Sequence, residues 1–367
     1  MTTPKPTAAA NTATFRCATA SVTLTTDNAD ALDKARKILY SYDEHPGSDG
    51  HWQVHLNNDP GIVTNPHART DGDAFDIGPQ THAYRSHRAH NVFWVPTRHT
   101  LVHADQAARV IRACCADAPA ALDWAPRLVR QAMTAQLLAD GMVYAHAAAF
   151  THAKRGVLIA GNRGRGKTTT LLASLHHLGG HYCTNDRLML HATGENLHGY
   201  PWPMPLRAGI GTLTALPHLR HLVAPPQQTL PVEQRWTFPT KIVVEPPAFP
   251  ALMQPGADVA RALSVSIMLW PHLDPARTTV QVERVDPDEV TDTLSNTRMF
   301  MHDPQRGTSA HTNQWLAAAP DDDTVHRNMA HTATVLAGLP CFRIRAGADP
   351  VALAAAVGRL LDNEVAE

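Results

Sequence analysis

The run Gly156-Val157-Leu158-Ile159-Ala160-Gly161-Asn162-Arg163-Gly164-Arg165-Gly166-Lys167-Thr168 carries an apolar strand into the pattern GxxxxGK[ST], and Thr169 to Leu175 continue it as a helix. Strand, glycine loop, Lys-Thr and helix in that order commit this part of the chain to an α/β layer with a phosphate loop at its edge. Backbone N–H groups can wrap a phosphate only where side chains do not block its approach. Gly161, Gly164 and Gly166 remove that block. The helix N-terminus then faces the anion. Lys167 can reach the β- and γ-phosphates, and the Thr168 hydroxyl is placed to ligate Mg2+ between them. Asn162, Arg163, Arg165 and Thr169 complete the expected nucleotide contacts, with ATP and Mg2+ as the cofactors.

Composition narrows what surrounds that loop. With 367 residues and 44% hydrophobic content the chain can bury one large core or two smaller ones, and its length favours two domains. A formal charge of −1 gives no global attraction to nucleic acid or to an anionic membrane, so neither is expected as a partner. Only Lys5, Lys34, Lys37, Lys154, Lys167 and Lys241 supply lysine, so the basic residues are mostly Arg. Cys17, Cys114, Cys115, Cys183 and Cys341 are odd in number and form no CxxC pair, which fits a reducing cytoplasm better than a disulfide framework. No apolar run reaches the roughly 18 residues needed to span a bilayer.

Along the chain, residues 1–13 read as a flexible tail, 14–125 as an α+β region and 126–367 as the P-loop domain. The pattern predicts a strand over 14–25, a helix over 29–42 and exposed connections with edge strands over 43–91. A hairpin follows at 92–95 and 100–102, then helices at 105–115 and 126–138. Strands are expected at 143–150, at the P-loop, at 181–190, at 241–244 and at 341–345, with a helix at 350–361. Residues 200–232 read as loop and 303–325 as mobile.

Asp186 lies 19 residues after Lys167 on a short strand, with one helix between. That spacing suits a kinase in which this carboxylate coordinates Mg2+. Asn185 cannot accept a proton. His146, in an Ala-rich strand, is by pattern more often a satisfied core residue than a catalyst. Arg187, Arg207 and Lys241 are candidates to offset charge on a transferred phosphoryl group. His176-His177 and His218-Leu219-Arg220-His221 lack convincing partners for a metal.

The segments YAHAAAF, GVLIAGNRGRGKTTTLLASL, GGHYCTNDRLMLH and GYPWPMPLRAGIGTL together resemble the bacterial HPr kinase/phosphorylase group and its relatives, over roughly residues 143–215. The resemblance implies an α/β fold related to phosphoenolpyruvate carboxykinase, here with an additional α+β N-terminal region. It adds weight to His146, Asp186 and Arg207 as catalytic residues beside Lys167. It also implies an ATP- and Mg2+-dependent transfer to a hydroxyl, with Ser of a small protein or peptide as the expected acceptor. A small-molecule kinase and a non-catalytic ATP-binding switch stand as alternatives, and a homo-oligomer is open. Asn185 stands where that group carries the first Asp of an Asp-Asp pair.

Overall fold

The computed structural model describes residues 11–44, 50–63, 73–78, 81–87, 91–296, 299–301 and 320–363. Residues 1–10 of the expected tail and 303–319 of the expected mobile stretch lie outside them. The chain forms two compact units, one of residues 1–141 with 302–326, the other of 142–301 with 327–367.

The N-terminal unit contains β1 (Asn11–Cys17), β2 (Ala20–Thr26), α1 (Ala29–Ile38), β3 (Asp43–Glu44), β4 (Trp52–Asn58), β5 (Asp73–Gly78), β6 (Thr81–Arg85), β7 (Val92–Val95), β8 (Thr100–Asp105), β9 (Val110–Cys115) and α2 (Ala118–Ala139). Its sheet runs β3-β1-β2-β4-β9-β8-β7-β6-β5. The β7–β8 hairpin stands as the sequence predicts. The helix expected over 29–42 forms as α1, and three other expectations here need correction. The single strand over 14–25 is two, turning at Ala18 with φ 50°. β4, placed among edge strands, is an interior strand parallel to β2 and β9, with Trp52, Val54 and Leu56 buried. The predicted helix over 105–115 is instead the end of β8, a turn and β9, where burial alternates between Ile111, Ala113 and Cys115 and their neighbours. A period of two is the signature of a half-buried strand.

α2 starts eight residues before Pro126. Asp117 caps it by accepting from the Ala120 N–H at 2.8 Å, and Pro119 occupies its first turn. Pro126 gave a second, competing start signal. The expected boundary at 125/126 therefore falls inside α2, and the units divide after Gly141.

The second unit contains β10 (Val143–Ala145), β11 (Ala148–His152), β12 (Arg155–Ile159), α3 (Lys167–Leu178), β13 (His181–Thr184), β14 (Leu188–Thr193), β15 (Asn196–Pro201), β16 (Leu206–Gly209), α4 (Ile210–Ala215), α5 (Pro225–Gln228), α6 (Val232–Thr237), β17 (Lys241–Val244), β18 (Leu263–Leu273), β19 (Gln281–Arg284), α7 (Pro287–Asn296), β20 (Cys341–Ala346) and α9 (Pro350–Asn363), with α8 (Asp322–Gly338) entering it. The stretch over 200–232 is thus not all loop. Its sheet runs β10-β14-β15-β18-β12-β11-β13, and β20 pairs β18 and β19. β12, β18 and β20 are parallel neighbours, so their carboxyl ends share one edge, where ligands of open α/β sheets bind. α3 buries Leu171, Leu172, Ala173 and Leu175 and packs on α9 and β11. The molecule is mixed α/β with two large mixed sheets, and among the described residues no helix is long and apolar enough to cross a membrane.

Candidate functional site

Between the end of β12 and the start of α3 the loop takes backbone conformations that L side chains rarely adopt: φ is 131° at Gly161, 82° at Gly164 and 103° at Gly166. A Cβ added at Gly161 or Gly164 would meet nothing within 4 Å, so this side of the loop is open. Open peptide N–H groups ahead of a helix N-terminus form a cradle for an anion. Asn162, Arg163, Gly164 and Arg165 are exposed along it, and Thr168 is half-exposed in the first helical turn. Lys167 is buried, and its ammonium donates to the carbonyls of Gly161 at 2.6 Å and Asn162 at 3.3 Å. Burial lowers its pKa to about 8; Asp186 partly offsets this, and Lys241, on β17 opposite Gly209, adds to it. An ammonium so weakly compensated gains from an anion brought beside it.

The second half of the site comes from two aligned breaks in the sheet. The strand expected over 143–150 stops at Ala145 and resumes at Ala148, and the strand expected over 181–190 stops at Thr184 and resumes at Leu188. Ala145 pairs with Leu188 on one side of the breaks and Ala149 with Thr184 on the other. The gaps therefore face each other. His146 sits in one and Asp186 in the other, with His146 Nδ1 3.3 Å from Asp186 Oδ1. The backbone freed by the break is satisfied from elsewhere: His146 N–H donates to Met299 O at 2.6 Å, and Met301 N–H to Tyr144 O at 2.7 Å.

Burial is the main influence on the His146 ring and lowers its pKa; Asp186 opposes this, while Lys167 and Arg187 reinforce it. Asp186 is also approached by Arg187, whose Nε lies 3.4 Å from Oδ2. The Arg187 guanidinium donates to Tyr144 Oη at 2.9 Å and lies 5.0 Å from the Trp202 ring centroid. Burial would lower its pKa, but Tyr144 and Asp186 outweigh it and hold the guanidinium above its ordinary value. The result is a carboxylate flanked by an imidazole and a fixed cation.

Some expected site residues do other things. Asn185 is buried, and its Oδ1 accepts from Tyr182 Oη at 3.1 Å, so its side chain serves the core. Thr169 is buried as well, and its hydroxyl pairs with that of Thr212 at 2.8 Å, tying α3 to α4. Any part it takes in holding nucleotide is left to its backbone N–H. Arg207 is exposed on β16, between the buried Leu206 and Ala208. Among the described residues its side chain makes no hydrogen bond or ion pair, and its backbone pairs with Val243.

Sequence reasoning passed over Tyr144, Trp202, Tyr182 and Thr212, which set the geometry around Asp186 and α3. A period-two signal was present for Tyr144, two residues before His146 on the same strand pattern, but strand breaks leave no such mark.

No protein-family model matches this chain, and no curated protein does. Among solved structures it is similar to the HPr(Ser) kinase/phosphatase from Coxiella burnetii, at 20% identity over 39% of this chain and 77% of that one, with a TM-score of 0.22. That likeness is too slight to carry an argument. The site's chemistry has to be argued from its own residues.

Those residues fit a magnesium nucleotide. The loop offers open amides and a lysine; Thr168 and Asp186 offer oxygen ligands. No group of three or more metal-binding side chains occurs among the described residues. Mg2+ suits such a place, since it is commonly held by one or two side chains together with phosphate oxygens and water.

Proposed function

We propose that the chain is an ATP- and Mg2+-dependent kinase that transfers a phosphoryl group to a hydroxyl, with Ser of a small protein or peptide as acceptor. The observation that carries this reading is the meeting of an open phosphate loop with a His-Asp pair: Asp186 interacts electrostatically with both Lys167 and His146. Gly161 to Thr169 would hold the phosphates, and Thr168 and Asp186 would hold Mg2+. Bound MgATP supplies the group transferred and neutralises its developing charge.

Each residue then has a definite task. Lys167 places a cation beside the phosphates. His146, its Nδ1 turned to Asp186, presents Nε2 to an acceptor hydroxyl and can take its proton as the new P–O bond forms. Asp186 fixes the ring's tautomer, and Arg187 fixes Asp186. A lowered His pKa keeps the imidazole neutral at physiological pH, the state a base needs.

The test is transfer of labelled γ-phosphate from ATP to Ser-containing peptides encoded beside the gene, with and without Mg2+. Label on the peptide hydroxyl supports the reading. Tight MgATP binding without transfer to any protein, peptide or small hydroxyl compound would instead favour the ATP-binding switch, a reading that the core-facing Asn185 supports by leaving one carboxylate at this turn.

A further inference from the structure

The carboxyl end of β18 is fastened to the phosphate loop by three contacts that use different atoms. The Leu273 N–H donates to the Arg165 carbonyl at 3.2 Å. The Leu273 side chain fills the space that a Cβ at Gly166 would need, leaving only 2.3 Å to its Cγ. The Arg165 guanidinium lies against the His272 ring, with Nη1 2.9 Å from Nε2 and 3.4 Å from Nδ1. Arg165 belongs to the GxxxxGK[ST] pattern; His272 stands 107 residues further on and belongs to no motif.

We propose that His272 is a positioning residue for the phosphate loop, acting through Arg165 to hold the loop in the form that receives nucleotide. Its purpose rests on the nucleotide reading above; the fastening is a property of the chain alone. Leu273 fixes the loop's backbone at one atom and its packing at Gly166, and the His272 contact holds the exposed outer side. Without it, Arg165 is left on an open loop with only backbone restraint.

The chemistry of the contact gives it a sign. A guanidinium only donates, so the ring nitrogen that accepts from Arg165 has to be one without a proton. An imidazolium offers no acceptor there and sets a second cation against Arg165. The other charged groups about His272 do not relieve this. Its register partner on β20 is Arg345, whose guanidinium is bonded to Glu283 of β19. The Asp274 carboxylate accepts from the Ala276 N–H. Lys167, on the helix packed against β18, directs its ammonium to Gly161 and Asn162.

Hydrogen–deuterium exchange over residues 160–168, in the full chain without nucleotide, tests the fastening, and calorimetry and kinetics with MgATP test its consequence. His272→Ala should exchange faster in this loop and raise KM for MgATP about fivefold to tenfold, within the range of one net hydrogen bond, with kcat kept. His272→Gln keeps an acceptor oxygen and should restore both. His272 is exposed, so neither variant opens the core. Unchanged loop exchange in His272→Ala, or failure of Gln to rescue, overturns the proposal. If wild-type protein does not bind MgATP, the kinase reading falls, and the exchange experiment still decides the fastening.

Discussion

The two large sheets handle their irregularities differently. In the N-terminal unit the sharp turns at Ala18, His99 and Arg109, with φ of 50°, 41° and 57°, join strands whose ladders resume at once on the far side. The second unit has such a turn at Ala153 and Lys154, but two further irregular places interrupt its ladders. β10 and β11 pair with different strands across the gap that holds His146, and β13 and β14 do the same across Asp186. A turn that closes a ladder satisfies its own backbone, whereas a gap inside a sheet exposes polar side chains to one another in a partly dry setting, where charges interact strongly. The proposed chemistry lies where pairing stops.

The largest effect that would break this account is at Lys167. Lys167→Ala should lower kcat/KM by about a thousandfold or more, because phosphoryl transfer depends on charge placed at the phosphates. The melting temperature should hold steady or rise, since a partly desolvated ammonium is removed. Calorimetry with MgATP beside a thermal melt checks both, and unchanged affinity in a folded variant would remove the phosphate-loop assignment.

Next come the two gap residues. His146→Ala should cost roughly a hundredfold to ten-thousandfold in kcat, the usual span for a general base. Because the ring's pKa is lowered, wild-type rate should stay level through neutral pH and fall only as pH drops through a value below about 6.5. The variant should lose that acid limb. Asp186→Asn should spare much of nucleotide binding and lower turnover by about a hundredfold or more, and wild-type turnover across a magnesium titration would reduce Asp186 to a structural role.

A smaller effect is expected at the loop itself. Gly166→Ala sets a Cβ 2.3 Å from Leu273 Cγ in a backbone with φ 103°, and strain of this kind costs about 1–3 kcal/mol. Denaturant melts should show that loss, and nucleotide affinity should fall with it. The mildest test is Asn185→Asp, which buries a carboxylate beside Tyr182. Its desolvation should destabilise the fold by about 1–3 kcal/mol. The cost is present once pH exceeds the ordinary Asp range near 3.9 and is relieved in acid, as linkage requires for a raised pKa. A melting temperature independent of pH relative to wild type would mean that the new carboxylate reaches solvent.

The sequence by itself determined the glycine loop, because its determinants are consecutive: β12 ends at Ile159, glycines occupy the positive-φ positions, and Lys167 and Thr168 open α3. Local rules reach that far, as they do for the β7–β8 hairpin and for β20 and α9. They misread 105–115, where a short apolar run fits helix and strand alike, and the boundary at 125/126, where two prolines each announce a helix start. Only the tertiary structure decided that His146 faces Asp186, that Asn185 turns to Tyr182, that Thr169 bonds Thr212 and that His272 holds Arg165. Each of these depends on which strands become neighbours and where their pairing lapses, and that is set by long-range packing of the sheet, on which a local pattern carries no mark.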